Sequence, residues 1–373
     1  MEAAWLVVPG CLIWLCILVL PWRPWSTRES LDADPSLPDD LQGITVIIPA
    51  RNEEECIGRT LKSVAAQGRG HEILLVDDQS TDATVAVARG LNLSNLRVLQ
   101  GTELPPDWTG KLWALEQGRN AASSDYLLLL DADIELLPGT LPALLGKLRS
   151  EQRQMVSLMA FLRMHSFWEK LLMPAFIYFF KLLYPFQLSN SGSRYSAAAA
   201  GGCILIENRA LAAAGGFAAI RGALIDDCTL ARRIRNAGGS TWTGLTHSAR
   251  SHRRYENLRV IWDMVARTAY TQLHYSSWLL GLCTLLMAAA FIAPVAALFT
   301  GTNASVLVGL CSLALMWISF LPTLKYYNLN PAWALLLPAV GALYLLMTWS
   351  SAIRHWNGSS AVWKGRVYDR QAG

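Results

Sequence analysis

The chain has 373 residues, more than one ordinary compact domain needs and enough for two folded units. Hydrophobic residues make up 53% of it and charged residues only 16%, whereas soluble proteins carry about 25% charged residues. This composition excludes a protein wholly exposed to water and predicts that part of the chain lies in lipid. The formal net charge of +4 gives no indication of a nucleic-acid partner, and none is expected.

An apolar run at the N-terminus is the first predicted element. Residues 3–22 carry no charge over about the length that spans a bilayer. The run lacks a basic start and a small-residue cleavage site, so it is typical of a retained anchor rather than a signal peptide. Arg23 and Arg28 follow it, and by the positive-inside rule they place the next segment in the cytoplasm. We predict an anchor over residues 1–22 and a linker over residues 23–42.

Strand and helix patterns alternate after this linker. The strand segments are residues 44–48, 72–76, 96–100 and 126–130, and the helical segments are residues 53–67, 82–90 and 110–122. Asn52 is a plausible N-cap for the first helix. The alternation predicts an α/β domain whose Rossmann-like, mostly parallel sheet has helices on both faces, which explains the uniformly apolar strands. We place this cytoplasmic domain at residues 43–275.

Acidic residues follow three of these strands. The stretches are "PARNEE" at 49–54, "DDQSTD" at 77–82 and "DADIE" at 131–135. In open α/β sheets, ligands bind outside the carboxyl ends of the strands. Asp131 and Asp133 are expected to point the same way, because side chains alternate along an extended chain. Two such carboxylates suit a hard cation, Mg²⁺ or Mn²⁺, that would clamp a diphosphate leaving group.

Each of these motifs is weak when it is taken alone. A lone D-x-D is most often a pair of solvated turn acids, and "DDCTLARRIRNAG" alone is typical of a helix start whose acids offset the helix dipole. Their occurrence in order within one alternating unit favours a functional site. The seven cysteines are scattered and predict reduced, structural thiols, and the six histidines show no ligand spacing and predict structural or interfacial roles.

Several segments together resemble the family 2 glycosyltransferases of the nucleotide-diphosphate-sugar-binding (GT-A) fold. They are "ITVIIPARNEEECIGRTLKSV", "EILLVDDQSTDAT", "GKLWALEQGRNAA", "LLLLDADI" and "LIDDCTLARRIRNAG", within roughly residues 44–239. A narrower likeness, to the bacterial hopanoid-associated membrane glycosyltransferases, is carried by "GKLWALEQG", "MPAFIYFFKLLYPF", "AAAAGGCILI" and "LIDDCTLARRIRNAG" together with the apolar runs at both ends. Ceramide glucosyltransferases are more distant relatives of similar layout.

The resemblance implies that a set of residues binds the nucleotide-sugar donor. They are Pro49, Arg51, Glu53, Asp77, Asp78, Lys111 and Asp131. Among them, Glu53 is expected to meet the ribose, Asp78 the base and Lys111 the diphosphate. A lysine at the start of a helix also suits a phosphate ligand on physical grounds, because helix N-termini and cations both favour anions. The family-level expectation for the donor is a UDP-sugar.

The resemblance also implies a metal site and a general base. Asp131 and Asp133 match the metal motif, and Asp227 matches the acid that takes a proton from the acceptor. The family's usual Glu-Asp pair is Asp226-Asp227 here, which leaves the base in place. Two adjacent acids raise each other's pKa, which helps Asp227 to hold a proton. The implied cofactor is Mg²⁺ or Mn²⁺.

The rest of the chain is apolar and predicts close association with a membrane. An aromatic-rich segment at residues 165–188 is compatible with a core helix or with an interfacial helix beside the active site, and we predict the latter. Residues 276–353 contain three apolar runs, at 276–299, 304–324 and 332–353, that predict transmembrane helices. Three spans would put the basic tail at 354–373 outside, whereas its Arg354, Lys364, Arg366 and Arg370 argue for inside. A re-entrant run would reconcile the two indications.

The expected activity is that of a membrane-bound inverting glycosyltransferase in the bacterial inner membrane. It would move one sugar from a nucleotide-diphosphate sugar to a lipid alcohol, with a hopanoid as the acceptor that the narrower likeness implies. A processive polysaccharide synthase is an alternative, but "SHRRYENL" and "ARTAYTQL" match the Gln/Arg-x-x-Arg-Trp motif of such enzymes poorly. A non-catalytic nucleotide-binding scaffold is a further alternative, against which the intact acids argue.

Overall fold

The computed structural model describes residues 7–193, 196–300 and 302–358, together with the backbone of 362–363 and 366–367. These residues belong to two units. The first, here called the α/β unit, contains residues 29–163 and 188–253. The second, here called the helical unit, contains residues 7–28, 164–187 and 254–358. The two units are therefore interleaved along the chain.

The helices and strands are numbered in chain order. The strands are β1 Ile44–Ala50, β2 Glu72–Asp77, β3 Leu96–Gln100, β4 Tyr126–Leu130, β5 Ile134–Leu136, β6 Met155–Phe161, β7 Cys203–Glu207, β8 Thr241–Ser251, β9 Val362–Trp363 and β10 Arg366–Val367. The α-helices are α1 Val8–Val19, α2 Ile57–Ala65, α3 Thr84–Gly90, α4 Gly110–Ala121, α5 Thr140–Ser150, α6 Phe167–Leu183, α7 Phe186–Asn190, α8 Asn208–Ala213, α9 Asp226–Asn236, α10 Leu258–Gln272, α11 Ser277–Met287, α12 Ala293–Thr300, α13 Asn303–Tyr326 and α14 Leu337–Trp356.

An eight-stranded sheet in the order β3-β2-β1-β4-β7-β6-β8-β5 forms the centre of the α/β unit. Strands β1 to β4 are parallel to their neighbours among themselves, as the alternating pattern predicts. Strand β7 runs antiparallel to both β4 and β6, and β5 runs antiparallel to β8, while β6 and β8 are parallel. The sheet is thus mixed, with a parallel half that was predicted and a second half of mixed direction.

Helices pack against both faces of this sheet. On one face, Ile48 of β1 belongs to the same buried cluster as Leu61 of α2 and Leu144 of α5. On the other face, Ile47 clusters with Leu115 of α4 and with side chains of α9. Burial on both sides explains why β1 and β4 consist almost entirely of apolar residues.

The first helix of this unit begins later than predicted. Helix α2 starts at Ile57, and Cys56 occupies its N-cap position. The prediction that Asn52 caps it is therefore wrong. Asn52 lies in the left-handed region, with φ of 53°, and its side-chain oxygen accepts a hydrogen bond from the N–H of Thr81 at 2.8 Å. Its short polar side chain tolerates this conformation and joins two loops instead.

The segment predicted as a linker contacts the α/β unit along much of its length. Ser30 forms a parallel bridge with Leu245 of β8. Asp32 accepts hydrogen bonds from the N–H of His247 and from the hydroxyl of Thr246. Further along, the Leu41 N–H donates to the carbonyl of Arg69. Residues 29–42 of this stretch are consequently an ordered part of the α/β unit, whereas residues 23–28 belong to the helical unit.

Three stretches of the helical unit are long and apolar enough to cross a membrane. They are Ser277–Phe299, Asn303–Tyr326 and Pro331–Trp356, with 23, 24 and 26 residues. Helix α1 has 12 residues, or about 18 Å of helix. Residues 3–6 of the predicted N-terminal span, and the side chains of Lys364, Arg366 and Arg370, lie outside the described residues. Membrane topology stays a prediction.

The aromatic segment forms helix α6, which is packed inside the helical unit. Ser166 and Glu169 form a capping box at its start. The Tyr178 hydroxyl lies 2.7 Å from Ser319 Oγ of α13, and the Tyr344 hydroxyl of α14 donates to the carbonyl of Leu172 at 2.9 Å. Helix α6 is therefore in contact with α13 and α14.

Candidate active site

The predicted site residues gather at one edge of the parallel half-sheet. In the register of β1 with β2, Pro49 lies opposite Val76 and Ala50 opposite Asp77. Strand β4, parallel to β1, ends at Leu130, directly before Asp131. Parallel strands end at the same edge, so the three acidic loops emerge side by side as predicted.

Asp131 and Asp133 are each bound by a different side chain. The Lys111 ammonium donates to Asp131, with Nζ 2.8 Å from Oδ1. The Ser251 hydroxyl, from the end of β8, donates to Oδ2 of Asp133 at 2.7 Å. These contacts orient the two carboxylates and offset part of their mutual repulsion.

The third acid of this segment has an aromatic partner. Glu135 Oε2 is hydrogen-bonded to Nε2 of His252, and Nδ1 of the same ring lies 2.8 Å from the Arg59 guanidinium. The His252 backbone N–H also donates to the carbonyl of Asp133 at 2.9 Å. The sequence predicts only a structural or interfacial role for this histidine, because nothing in its local spacing connects it to residues 131–135.

Lys111 joins the acidic strand end to the helix that carries the predicted base. It is the second residue of α4, and its Nζ lies 3.6 Å from Oδ2 of Asp226, the first residue of α9. Burial alone would lower the pKa of Lys111, but Asp131 and Asp226 raise it above its ordinary value. The side chain therefore stays a cation between two carboxylates.

Asp227 is held by backbone N–H groups. The Gly201 N–H donates to Oδ2 at 2.9 Å, and the Cys228 N–H donates to Oδ1 at 2.7 Å. Burial and the neighbouring Asp226 raise the pKa of Asp227 to about 7, although the two backbone hydrogen bonds and Lys111 act in the opposite direction. A carboxylate with a pKa near neutrality suits a general base.

Gly201 allows these groups to approach one another. A Cβ at this position would lie 3.3 Å from the Lys111 Nζ, a tight contact, and 3.4 Å from Asp227 Oδ2, an ordinary van der Waals distance. The run "AAAAGGCILI" that contains it carries part of the family resemblance. The alanines and glycines of such a run carry no functional group, so composition gave no reason to assign them a role.

The residues expected to meet the nucleotide lie in the loops after β1 and β2. The Arg51 guanidinium donates to the carbonyl of Asp78 at 2.6 Å and lies 3.9 Å from its carboxylate. Asp78 is 1% exposed, and its N–H donates to the carbonyl of Ala50. The Glu53 N–H donates to Thr84 Oγ1 at 2.8 Å. The two loops are thus fixed to each other.

Asp77 supports these loops. One of its oxygens accepts from the N–H of Ser80 at 3.2 Å, and the other accepts from the Gln100 amide at 2.9 Å. It is 1% exposed, and its position on β2 places it opposite Ala50. These contacts favour a role for Asp77 in shaping the loop that presents Asp78.

The acidic edge fits a divalent metal that arrives with a ligand. Within the described ranges, no group of three or more His, Cys, Asp or Glu side chains is arranged to hold a metal ion. Asp131 and Asp133 nevertheless provide carboxylate oxygens, which are the donors that Mg²⁺ and Mn²⁺ prefer. Mg²⁺ is commonly held by one or two carboxylates together with substrate phosphates and water. A donor diphosphate would supply the remaining oxygens.

A cavity of about 380 Å³ also lies in the α/β unit, but away from this edge. It is lined by residues that include Gln154, Glu207 and Gly239. Glu207 pairs with Tyr126, the first residue of β4, whereas Asp131 follows the last residue of that strand. None of the predicted site residues lines this cavity, so the cavity is not assigned to the candidate active site.

The chain is similar in sequence to a known family and to several known proteins. Residues 45–212 match the sequence model of the family described as Glycosyl transferase family 2. The 4,4'-diaponeurosporenoate glycosyltransferase of Staphylococcus haemolyticus is 38% identical over 98 residues, which are 26% of this chain and 26% of that protein. The enzyme of the same name from Staphylococcus aureus strain USA300 is 36% identical over 96 residues, covering 26% of this chain and 25% of the relative. The match thus spans about a quarter of the length of these curated relatives.

A solved structure shows the same fold over most of the chain. The mannosyltransferase PcManGT from Pyrobaculum calidifontis, in complex with GDP-Man and Mn²⁺, superposes with a TM-score of 0.60 at 18% identity. The alignment covers 95% of this chain and 98% of the mannosyltransferase. The predicted GT-A fold and the resemblance to family 2 glycosyltransferases are both confirmed.

Proposed function

We propose that this chain, which contains a family 2 glycosyltransferase domain at residues 45–212, transfers a single sugar from a nucleotide-diphosphate donor to a membrane lipid. The observation that carries the proposal is the position of Lys111 between Asp131 and Asp226. It connects the strand end expected at the diphosphate with the helix that presents Asp227. One site would thus contain both the residues that bind the diphosphate leaving group and the proposed general base.

The donor would bind along the loops after β1 and β2. Pro49, Arg51 and Glu53 come from the first loop and Asp77 and Asp78 from the second, and the Arg51 contacts hold the two together. The base would lie near Asp78 and the ribose near Glu53. UDP-sugars are the family-level expectation, and PcManGT was solved with GDP-Man, so both nucleotides belong in the first assay.

Proton transfer and attack follow from the chain's own residues. Asp227 takes the proton from the acceptor hydroxyl, and the oxygen attacks the anomeric carbon from the face opposite the diphosphate, which inverts its configuration. The Lys111 ammonium offsets the charge that develops on the departing nucleoside diphosphate. Asp131 and Asp133 would hold Mg²⁺ or Mn²⁺, which supplies further neutralisation of that diphosphate when bound.

The acceptor would be a lipid that the protein meets in the bacterial inner membrane. Three stretches long and apolar enough to cross a membrane support this, as does the staphylococcal relatives' name, which describes transfer to a carotenoid acid. The catalytic unit would face the cytoplasm, because Arg23 and Arg28 follow the first apolar run. The narrower sequence likeness favours a hopanoid alcohol among such lipids.

A carboxylic acid is a second candidate for the acceptor group. The relatives' name describes an acid, diaponeurosporenoate, and an ionised carboxylate can attack without losing a proton. The two acceptor types therefore make different demands on Asp227. Its pKa near 7 favours an alcohol, because a positioned base is useful only when the acceptor carries a proton to be removed.

The experiment uses the full chain purified in detergent and returned to lipid. Radiolabelled UDP- and GDP-sugars are supplied with Mn²⁺ and with a panel of polyprenoid alcohols, hopanoid alcohols and carotenoid acids. We expect labelled product in the lipid extract, dependent on Asp227 for alcohols. Product that stays insoluble after lipid extraction would indicate polymer synthesis, and hydrolysis without any lipid product would contradict the proposed acceptor class.

Lipid analysis identifies the natural acceptor. Mass spectrometry of membranes from cells with and without the gene should show a species heavier than its parent lipid by one sugar. We expect that species to disappear in cells that carry the Asp227→Asn variant. A difference of several sugar units would contradict single transfer.

A further inference from the structure

Lys111 lies where a cation and a divalent metal would compete. Its Nζ is 2.8 Å from Oδ1 of Asp131, one of the two carboxylates expected to hold the metal. An ammonium at this distance neutralises the carboxylate and occupies one of its oxygens. A divalent ion on the same carboxylate would be repelled by the ammonium at close range. Asp131 would therefore bind the divalent metal more weakly while it is paired with the Lys111 ammonium.

The surroundings of Lys111 show what holds it in this position. It lies at the N-terminal end of α4, where the helix dipole disfavours a positive charge. The acids Asp131 and Asp226 offset this, and Asp227 adds to their field. The side chain is 21% exposed, so its flexible stem is not sealed in the core. An anion arriving at this helix end would offer the ammonium an alternative partner.

A donor diphosphate is such an anion, because phosphate oxygens bind both helix N-termini and lysine. We propose that Lys111 acts as an internal counter-ion that competes with the divalent metal for Asp131 and is drawn away by the donor diphosphate, so that metal and donor bind cooperatively. This inference rests on the proposed function. It predicts weak metal binding by the free protein and tight binding in the presence of nucleotide. By linkage, the metal must strengthen nucleotide binding by the same factor.

The test measures metal affinity and not turnover. Binding of Mn²⁺ to the full-length protein is followed by the electron paramagnetic resonance signal of free Mn²⁺, without nucleotide and with UDP or GDP. The variants are Lys111→Met, which removes the charge at similar volume, and Lys111→Arg, which keeps it. Lys62→Met, at an exposed position of α2, is the matched control for the loss of one positive charge.

For Lys111→Met we expect Mn²⁺ to bind about ten- to a hundredfold more tightly without nucleotide, the range of one charge-assisted hydrogen bond. Nucleotide should then add little further affinity. Lys62→Met should resemble the unchanged protein, in which nucleotide strengthens Mn²⁺ binding at least tenfold. Lys111→Arg should keep the weak Mn²⁺ binding of the nucleotide-free protein because it keeps the positive charge. Thermal unfolding is recorded for each variant, and Lys111→Gln replaces the Met variant if that one does not fold.

Two outcomes would overturn the inference. One is metal affinity that is unchanged or weaker when the Lys111 charge is removed, since a merely structural lysine would give this result. The other is an unchanged protein that binds Mn²⁺ equally well with and without nucleotide. Failure of the proposed function is distinguishable, because it would appear as absence of sugar transfer by the unchanged protein while the Mn²⁺ comparison could still hold.

Discussion

Two buried or half-buried lysines, one in each unit, bind very different partners. Lys111 of the α/β unit contacts the carboxylates of Asp131 and Asp226. Lys181 of the helical unit is 1% exposed, and its ammonium donates to the backbone carbonyl of Ser26 at 2.8 Å. Backbone carbonyl oxygens are neutral acceptors, whereas carboxylates carry a negative charge and therefore attract cations more strongly. The arrangement around Lys111 suits the binding of charged ligands. The arrangement around Lys181 fixes α6 to the backbone at Ser26.

The buried polar side chains of α13 extend this contrast. They are hydroxyls, namely those of Ser305, Ser312, Ser319 and Thr323. Ser319 donates to the carbonyl of Met316 in its own helix at 2.7 Å and also meets Tyr178. A hydroxyl can be satisfied by its own helix in an apolar setting, whereas an unpaired charge there is costly. The buried polar side chains of α13 are thus uncharged, whereas the predicted site of the α/β unit contains charged ones.

Replacing Asp227, the proposed general base, should give the largest effect on catalysis. Asp227→Asn keeps the shape of the side chain but cannot accept a proton, so kcat for an alcohol acceptor should fall by about 10²- to 10⁴-fold. Donor affinity should change little, as measured by equilibrium binding of the nucleotide. Parallel loss of donor affinity would place Asp227 in the nucleotide pocket, and normal transfer to a carotenoid acid would identify a carboxylate as the acceptor.

The pH dependence should follow the pKa of Asp227, which lies near 7 in the folded chain. Above this pH the carboxylate is ionised and accepts a proton; below it, kcat/KM for an alcohol acceptor should fall about tenfold per pH unit. The linked effect on stability has the opposite sign. Folding raises the pKa of Asp227, so the protonated side chain stabilises the folded state at low pH. This contribution to the free energy of unfolding is lost as pH rises through about 7. A pH–rate profile and unfolding midpoints, both measured between pH 5 and 8, would check the two predictions. In the Asp227→Asn variant, the part of the change in unfolding midpoint with pH that comes from residue 227 should be absent.

Removing the hydroxyl that orients Asp133 should have a smaller effect. Ser251→Ala deletes the 2.7 Å hydrogen bond to Oδ2 of Asp133 and should weaken Mn²⁺ binding in the presence of nucleotide by about tenfold. The conservative Ser251→Thr should recover most of this affinity because it keeps the hydroxyl. Equal loss in both variants would indicate that the size of residue 251, not its hydrogen bond, matters.

The smallest effect on catalysis is expected in the helical unit. Lys181→Met removes a buried ammonium that donates to main-chain carbonyls and leaves the α/β unit unaltered. Turnover per folded molecule should stay within about twofold, and nucleotide-free Mn²⁺ affinity should not change, while the unfolding midpoint falls by a few degrees. A large change in metal affinity would break the contrast between the two lysines.

Strands whose pattern is local were predictable from the sequence, and pairings over long distances were not. Strands β1 to β4 each lie within two residues of the predicted segments, because each is a short apolar run bounded by turn residues. Asp131 was predictable because acids directly follow such a run, whereas Asp227 was predicted only from the resemblance of its segment to a known family. Strand β7 enters the sheet between β4 and β6, which periodicity cannot show. The contact of Ser251 with Asp133 joins positions 118 residues apart, and no local signal marks it.

The interleaving of the two units has a consequence for biosynthesis. During translation, β6 leaves the ribosome before α6, and β7 follows only after α6 has been made. Until then β4 and β6 lack the strand that pairs with both of them, and open strand edges are templates for aggregation. Helix α6 can pack against α13 and α14 only after these later helices have been synthesised. A fragment that ends near Arg163 would keep both strand edges open permanently, and we expect it to aggregate.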